Sequence, residues 1–198
     1  MPKKDFKKPD KRKAQVTRDN KHASSARVEV KNEEFLASLL SEKEDLFILV
    51  LDCVQDPHNL GACLRSADGA GIDAVIIPKD KAVSLTPAVI SVSCGGAENV
   101  PVIQVTNLAR ALQRLKDNGV WLVGTTDHAT QSIYDTDLTG SLAIVMGAEG
   151  KGMRRLTEEA CDFRVFIPMT GKVDCLNVSV AAGVCMFEAV RQRSIPST

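Results

Sequence analysis

The chain is 198 residues long, 44% apolar and 25% charged, and its 25 Lys and Arg equal its 25 Asp and Glu. Those proportions fit one globular domain with a substantial core. They exclude a membrane-embedded chain, because no apolar stretch nears the roughly 20 residues a span needs, and the N-terminus lacks an export signal's apolar segment, so a cytoplasmic location is expected.

Charge is unevenly placed, with eleven basic residues but only four acidic ones in positions 1–31, leaving an acidic body. Residues 1–32 carry Phe6 as almost their only large apolar side chain. Such a segment buries too little surface to offset ordering, so it is expected to be a mobile basic arm. An arm of this kind either contacts nucleic acid or a membrane surface, or simply solubilises. Residues 33–198 are then the folded domain.

From Glu33 the pattern turns helical, with Phe35, Leu36, Leu39 and Leu40 on one face. Apolar runs follow at 46–52, 74–77, 102–105, 120–124, 142–146 and 163–167. Their hydrophobicity is continuous, which predicts strands buried on both faces of a parallel sheet. Amphipathic stretches at 60–70, 108–118 and 153–160 read as crossover helices, and 177–192 closes the chain as a helix. Strand and helix alternation predicts an α/β domain with right-handed crossovers.

Three short segments follow strands in this scheme: Asn59-Leu60-Gly61 leading to Arg65, Gly147-Ala148-Glu149-Gly150, and Leu176-Asn177-Val178-Ser179. Each is expected near a helix start, at the sheet edge where open α/β proteins bind ligands. Asn59 reads either as a helix N-cap or, with Arg65 beside small Gly61 and Ala62, as part of a phosphate pocket. His58 reads as a loop residue. The 147–152 segment matches neither the dinucleotide fingerprint nor the P-loop spacing, which removes a nicotinamide-dependent dehydrogenase from consideration. Glu149 would repel phosphates, so the loop is either a plain turn or a site for a ligand with a ribose and a positive centre. Asn177 or Ser179 reads as a cap of the last helix. Met169 and Leu176 read as core packing or as an apolar bed for an adenine ring. The six cysteines, Cys53, Cys63, Cys94, Cys161, Cys175 and Cys185, show no C-x-x-C pair and no histidine at ligand spacing. Reduced thiols and no bound metal are expected.

Taken together, Asn59-Leu60-Gly61 with Arg65, Val145-Met146-Gly147-Ala148-Glu149-Gly150, and Ile167-Pro168-Met169 with Leu176-Asn177-Val178-Ser179 resemble the three signature motifs of the SpoU (TrmH-type) RNA 2′-O-ribose methyltransferases. The likeness runs from about Leu46 to Arg193 and is nearest to the bacterial large-subunit rRNA guanosine-2′-O-methyltransferases. It implies a SPOUT α/β fold with a C-terminal trefoil knot, which the residue-level reading does not reveal and general topological rules would disfavour. It also implies a homodimer that binds S-adenosylmethionine in the knot and completes its active site across the interface. Gly147, Ile167 and Leu176 would contact the cofactor, with Thr125 and Met169 nearby. Arg65, Asn59, Glu149, Asn177 and Ser179 would form the catalytic set. Many relatives carry an additional N-terminal RNA-binding domain, and here the Lys-rich arm stands before the methyltransferase domain. Cys175 stands where relatives more often show Ser, a stronger hydrogen-bonding group.

Those residue types suit methyl transfer from a sulfonium to a ribose hydroxyl, which needs positioning, charge stabilisation and loss of one proton. A guanidinium stays protonated in proteins, so Arg65 is read as a clamp on the target phosphate that also stabilises the developing alkoxide. Two rivals remain: ribose methylation of tRNA, and an RNA-binding or ribosome-assembly factor of the same fold.

Overall fold

The computed structural model describes residues 28–148 and 150–195. Within them, seven strands form one parallel sheet in the order β3-β2-β1-β6-β4-β7-β5. The strands are β1 (Phe47–Leu51), β2 (Ala74–Pro78), β3 (Val102–Val105), β4 (Trp121–Thr125), β5 (Gln131–Ser132), β6 (Leu142–Met146) and β7 (Phe163–Phe166). The helices are α1 (Glu33–Glu42), α2 (Pro57–Ala70), α3 (Pro87–Ser93), α4 (Gly96–Asn99), α5 (Leu108–Asp117), α6 (Arg155–Ala160) and α7 (Val178–Arg193).

β1, β2 and β6 are buried along their whole length, as their unbroken apolar content requires of strands covered on both faces. One apolar layer joins the sheet to α2 and α7, the other to α1 and α5. β7 departs from the expectation of two-sided burial, since Phe163 and Arg164 are exposed. Its outer neighbour β5 has only two residues and pairs with Val165 and Phe166, leaving the first half of β7 uncovered. Most of the arm expected over 1–32 lies outside the described residues. Its last part joins the body: Lys31 N donates to Val102 O at 2.8 Å, Gln104 N donates to Lys31 O at 2.9 Å, and Val28 packs on the core.

The α3–α4 corner between β2 and β3 was not expected. Its start signal is Thr86-Pro87, where the Thr86 hydroxyl accepts from Val89 N at 3.3 Å and the proline occupies the first turn, where its missing N–H costs nothing. The same signal opens α2. Asp56, followed by Pro57, accepts from His58 N at 2.9 Å. Asp56 is therefore the cap, and Asn59 and His58 lie inside the first turn of α2, correcting both the capping reading of Asn59 and the loop reading of His58. Gly61 is small because α3 crosses there: a Cβ would come within 2.7 Å of Val92 Cβ. Its smallness is thus accounted for by helix packing.

Candidate active site

β1, β6, β4 and β7 all end at one edge, and the three sequence segments meet there. The middle segment is not at a helix start, because α6 begins only at Arg155. Instead the chain doubles back as a small antiparallel bridge, with Ala148 N donating to Gly152 O at 3.1 Å and Gly152 N to Ala148 O at 2.9 Å. Gly147 must be glycine in this turn, since a Cβ would lie 2.1 Å from Gly152 C and 2.2 Å from Met153 N. The close approach that demands a glycine here is made by the chain's own backbone. Glu149 lies outside the described residues.

A residue pair the sequence reading missed fastens this turn to the sheet. Asp52, at the end of β1, is fully buried. Its carboxylate accepts from Arg154 Nε at 2.7 Å and Arg154 N at 2.9 Å, and Arg154 Nη2 stands 2.7 Å from Oδ1 in the ion pair. The pair spans 102 positions, a separation at which no local pattern reveals it.

Beyond the strand ends lies a cleft of about 580 Å³. Thr125, Gly147, Ile167, Met169 and Leu176, the five residues expected around a cofactor, all line it. Its lining combines apolar residues, Val165, Ile167, Met169, Leu176 and Val178, with polar ones, Thr126, Asp127, His128, Lys151 and Glu158. His128 Nε2 lies 2.8 Å from Glu158 Oε1, and its Nδ1 lies 3.1 Å from Asp127 Oδ1 and 2.8 Å from Thr126 Oγ1. Hydrogen bonds to the Glu158 and Asp127 carboxylates hold the His128 pKa above its ordinary value. This ionisable cluster was not anticipated. Its three members are exposed or half-exposed and lie on a loop and a helix distant in sequence.

The catalytic candidates form a second cluster at the facing starts of α2 and α7. Asn177 caps α7, its Oδ1 accepting from Ser179 N at 3.0 Å and Ser179 Oγ at 2.6 Å, while its Nδ2 donates to Asn59 Oδ1 at 2.9 Å. Segments 118 positions apart are thereby joined through one side chain. Val178, between Asn177 and Ser179, lines the cleft, so the two clusters adjoin. Arg65 lies further along α2, exposed, with Nη1 donating to Cys94 Sγ at 3.6 Å. Among the described residues no hydrogen bond links it to Asn59, Asn177 or Ser179. Six positions along a helix turn it about 120° from Asn59.

Burial pushes the Cys63, Cys161 and Cys185 thiols up to about 12, which keeps them protonated. Among the described residues no group of three or more His, Cys, Asp or Glu side chains is arranged to hold a metal ion, and no helix is long and apolar enough to cross a membrane.

A parallel α/β domain with a cleft beyond the carboxyl ends of its strands is, by class, a ligand-binding α/β protein. Residues 46–187 match the model of the SpoU rRNA Methylase family, and the chain belongs to that family. It is 62% identical over 162 residues to the 23S rRNA (guanosine-2′-O-)-methyltransferase RlmB of Vibrio cholerae, a match covering 82% of this chain and 66% of that protein. The chain thus spans just under two thirds of that relative's length. Among solved structures it is similar to an RNA 2′-O ribose methyltransferase, with a TM-score of 0.71 and 38% identity over 77% of this chain and 58% of the other. The SpoU methyltransferase AviRb of Streptomyces viridochromogenes, solved in complex with the cofactor AdoMet, gives a TM-score of 0.72 at 28% identity, covering 78% of this chain and 63% of that one.

Proposed function

We propose that this chain is an S-adenosylmethionine-dependent RNA methyltransferase that modifies a ribose 2′-hydroxyl, of a guanosine in large-subunit rRNA, and works in the cytoplasm as a homodimer. The observation that carries the reading is the convergence of Asn59, Asn177 and Ser179 beside a cleft lined by all five expected cofactor residues. The names of the relatives, with their rRNA and guanosine specificity, support the substrate.

The cleft suits the cofactor, since about 580 Å³ with both apolar and polar lining accepts an adenine ring together with hydroxyl and amino groups. When bound, S-adenosylmethionine supplies a sulfonium-activated methyl group. Gly147, Ile167 and Leu176 would hold it, with Met169 and Thr125 beside them. Asn177, fixed by Asn59 and Ser179, orients the target ribose. Arg65 clamps the adjoining phosphate and stabilises charge developing on the 2′-oxygen. Glu149 completes the proposed set.

Arg65 stands apart from the Asn177 cluster within one protomer, which favours a site completed by the Arg65 of a second copy. The outer surface of α7 supports such an assembly. Val180 and Phe187 are half-exposed on α7, Phe187 at the seam with α2, where a Cβ at Gly69 would lie 3.6 Å from its Cζ, and large apolar side chains left open to solvent suit burial against a partner. A C-terminal knot is also part of the proposal. β7 lies between β4 and β5, and Gln192 and Arg193 of α7 hydrogen bond to the backbone of Thr136, Leu138 and Gly140 in the segment that leads to β6. The basic segment 1–31 would add salt-dependent, sequence-independent affinity for RNA.

The test is incubation with methyl-labelled S-adenosylmethionine and, separately, unmodified large-subunit rRNA and unmodified tRNA. Label in rRNA alone is expected. Label in tRNA alone would transfer the substrate assignment, and no label in either, with cofactor binding demonstrated, would contradict the proposal and favour an RNA-binding factor.

A further inference from the structure

The corner between α3 and α4 presses on the middle of α2 beside Arg65. We propose that Cys94 is a positioning residue for Arg65, holding its guanidinium in the orientation used at the ribose. The inference rests on the role given to Arg65 above.

Backbone packing fixes where the corner sits. At Gly96 a Cβ would lie 2.6 Å from the Leu64 carbonyl oxygen and 2.9 Å from Arg65 N, so only glycine permits this approach. Two residues earlier, Cys94 ends α3 in the left-handed region at φ 49° and sets its Sγ 3.6 Å from Arg65 Nη1, within reach of an N–H···S bond. The corner is fastened on both sides. Ser93 Oγ donates to Ile90 O at 2.8 Å and accepts from Ala97 N at 3.1 Å, while Asn99 Nδ2 donates to Asp68 Oδ2 at 3.3 Å, one turn along α2 from Arg65.

The choice of residue at 94 is informative. Glycine would meet the left-handed conformation without steric cost, whereas a side chain there costs stability. What a glycine lacks is the thiol that touches Arg65. An exposed arginine otherwise samples many rotamers. A contact that narrows them before substrate arrives leaves less to be lost at the transition state. Cys94 acts through Arg65 and touches neither cofactor nor ribose.

The experiment measures kcat, KM for S-adenosylmethionine and melting temperature for Cys94→Gly, Cys94→Ser, Arg65→Ala and the double variant Cys94→Gly/Arg65→Ala. Cys94→Gly relieves backbone strain, so its melting temperature holds or rises and loss of fold does not confound the rate. Its kcat is expected to fall about tenfold with KM unchanged. Cys94→Ser, which keeps a hydrogen-bonding group, should regain most of the rate. On the Arg65→Ala background, Cys94→Gly should add no further loss. Wild-type kcat in Cys94→Gly overturns the proposal, as does a full additional loss in the double variant. Wild-type turnover in Arg65→Ala would instead remove the catalytic role of Arg65, and the positioning role with it.

Discussion

Replacing Arg154 by alanine isolates the contact that holds the glycine turn to the sheet. The substitution removes the guanidinium hydrogen bond from Nε and the ion-pair contact of Nη2, both 2.7 Å from Asp52 Oδ1. It leaves a carboxylate with no solvent exposure. Breaking a buried ion pair by deleting one partner costs about 3–5 kcal/mol. Two features place this case at the low end. The backbone N–H of residue 154 still reaches Asp52 Oδ2 at 2.9 Å, and the Arg154 side chain is 40% exposed, so its own desolvation was incomplete. The expected loss is about 3 kcal/mol, or roughly 6–12 °C in melting temperature for a domain of this size. Urea unfolding measures it directly, and the midpoint should fall while the slope stays constant. Adding Asp52→Asn, which removes the stranded charge, should return part of the loss. A single variant within about 1 kcal/mol of wild type, the value expected of a surface pair, would refute the reasoning.

The glycine turn offers a paired comparison. Gly147→Ala drives a Cβ into the Gly152–Met153 backbone and should cost about 1–3 kcal/mol as well as most cofactor affinity. Gly150→Ala meets open space and pays only for its φ of 72°, about 1–2 kcal/mol, as thermal melts and calorimetric titration with S-adenosylmethionine will show. Asn177→Asp keeps the oxygen that caps α7 but loses the donor to Asn59, so turnover should fall by far more than stability. Asn177→Ala should lose the cap as well, about 1 kcal/mol more. At the cleft rim, the raised pKa of His128 means that its ion pairs stabilise the fold fully below the ordinary histidine value near 6.5. That contribution disappears as pH rises through the higher folded value. The melting-temperature gap between wild type and Glu158→Gln should therefore be clear at about pH 6 and absent at about pH 9, and a gap independent of pH would contradict the pairing.

Much of this architecture is legible in the chain because local chemistry dictates it. Runs such as Phe47–Leu51 and Leu142–Met146 have no polar side to show to water, so two-sided burial in a parallel sheet follows from composition alone. The five residues that the resemblance implies around a cofactor come from separate segments, and the fold brings them to one cleft. The features that escaped depend on distance or on competing local signals. Val89, Ile90 and Val92 are β-branched and weak helix formers, yet Thr86-Pro87 and close packing on Gly61 make that segment α3. The demand for glycine at 147 also comes from the fold, because the chain returns against it at Gly152 and Met153, which a sequence does not show. Asp52 with Arg154, and Arg65 with Cys94, are pairs created by the fold, with no periodicity to announce them.

The claim at the centre of this account is that the converged motifs deliver a methyl group to a ribose oxygen. The most direct measurement digests rRNA labelled by the purified protein to nucleosides and identifies the labelled species by mass spectrometry, with the Asn177→Asp variant alongside. The account predicts 2′-O-methylguanosine from the wild type and a sharply reduced yield from the variant. Label carried on a base, or an equal yield from both proteins, would contradict it.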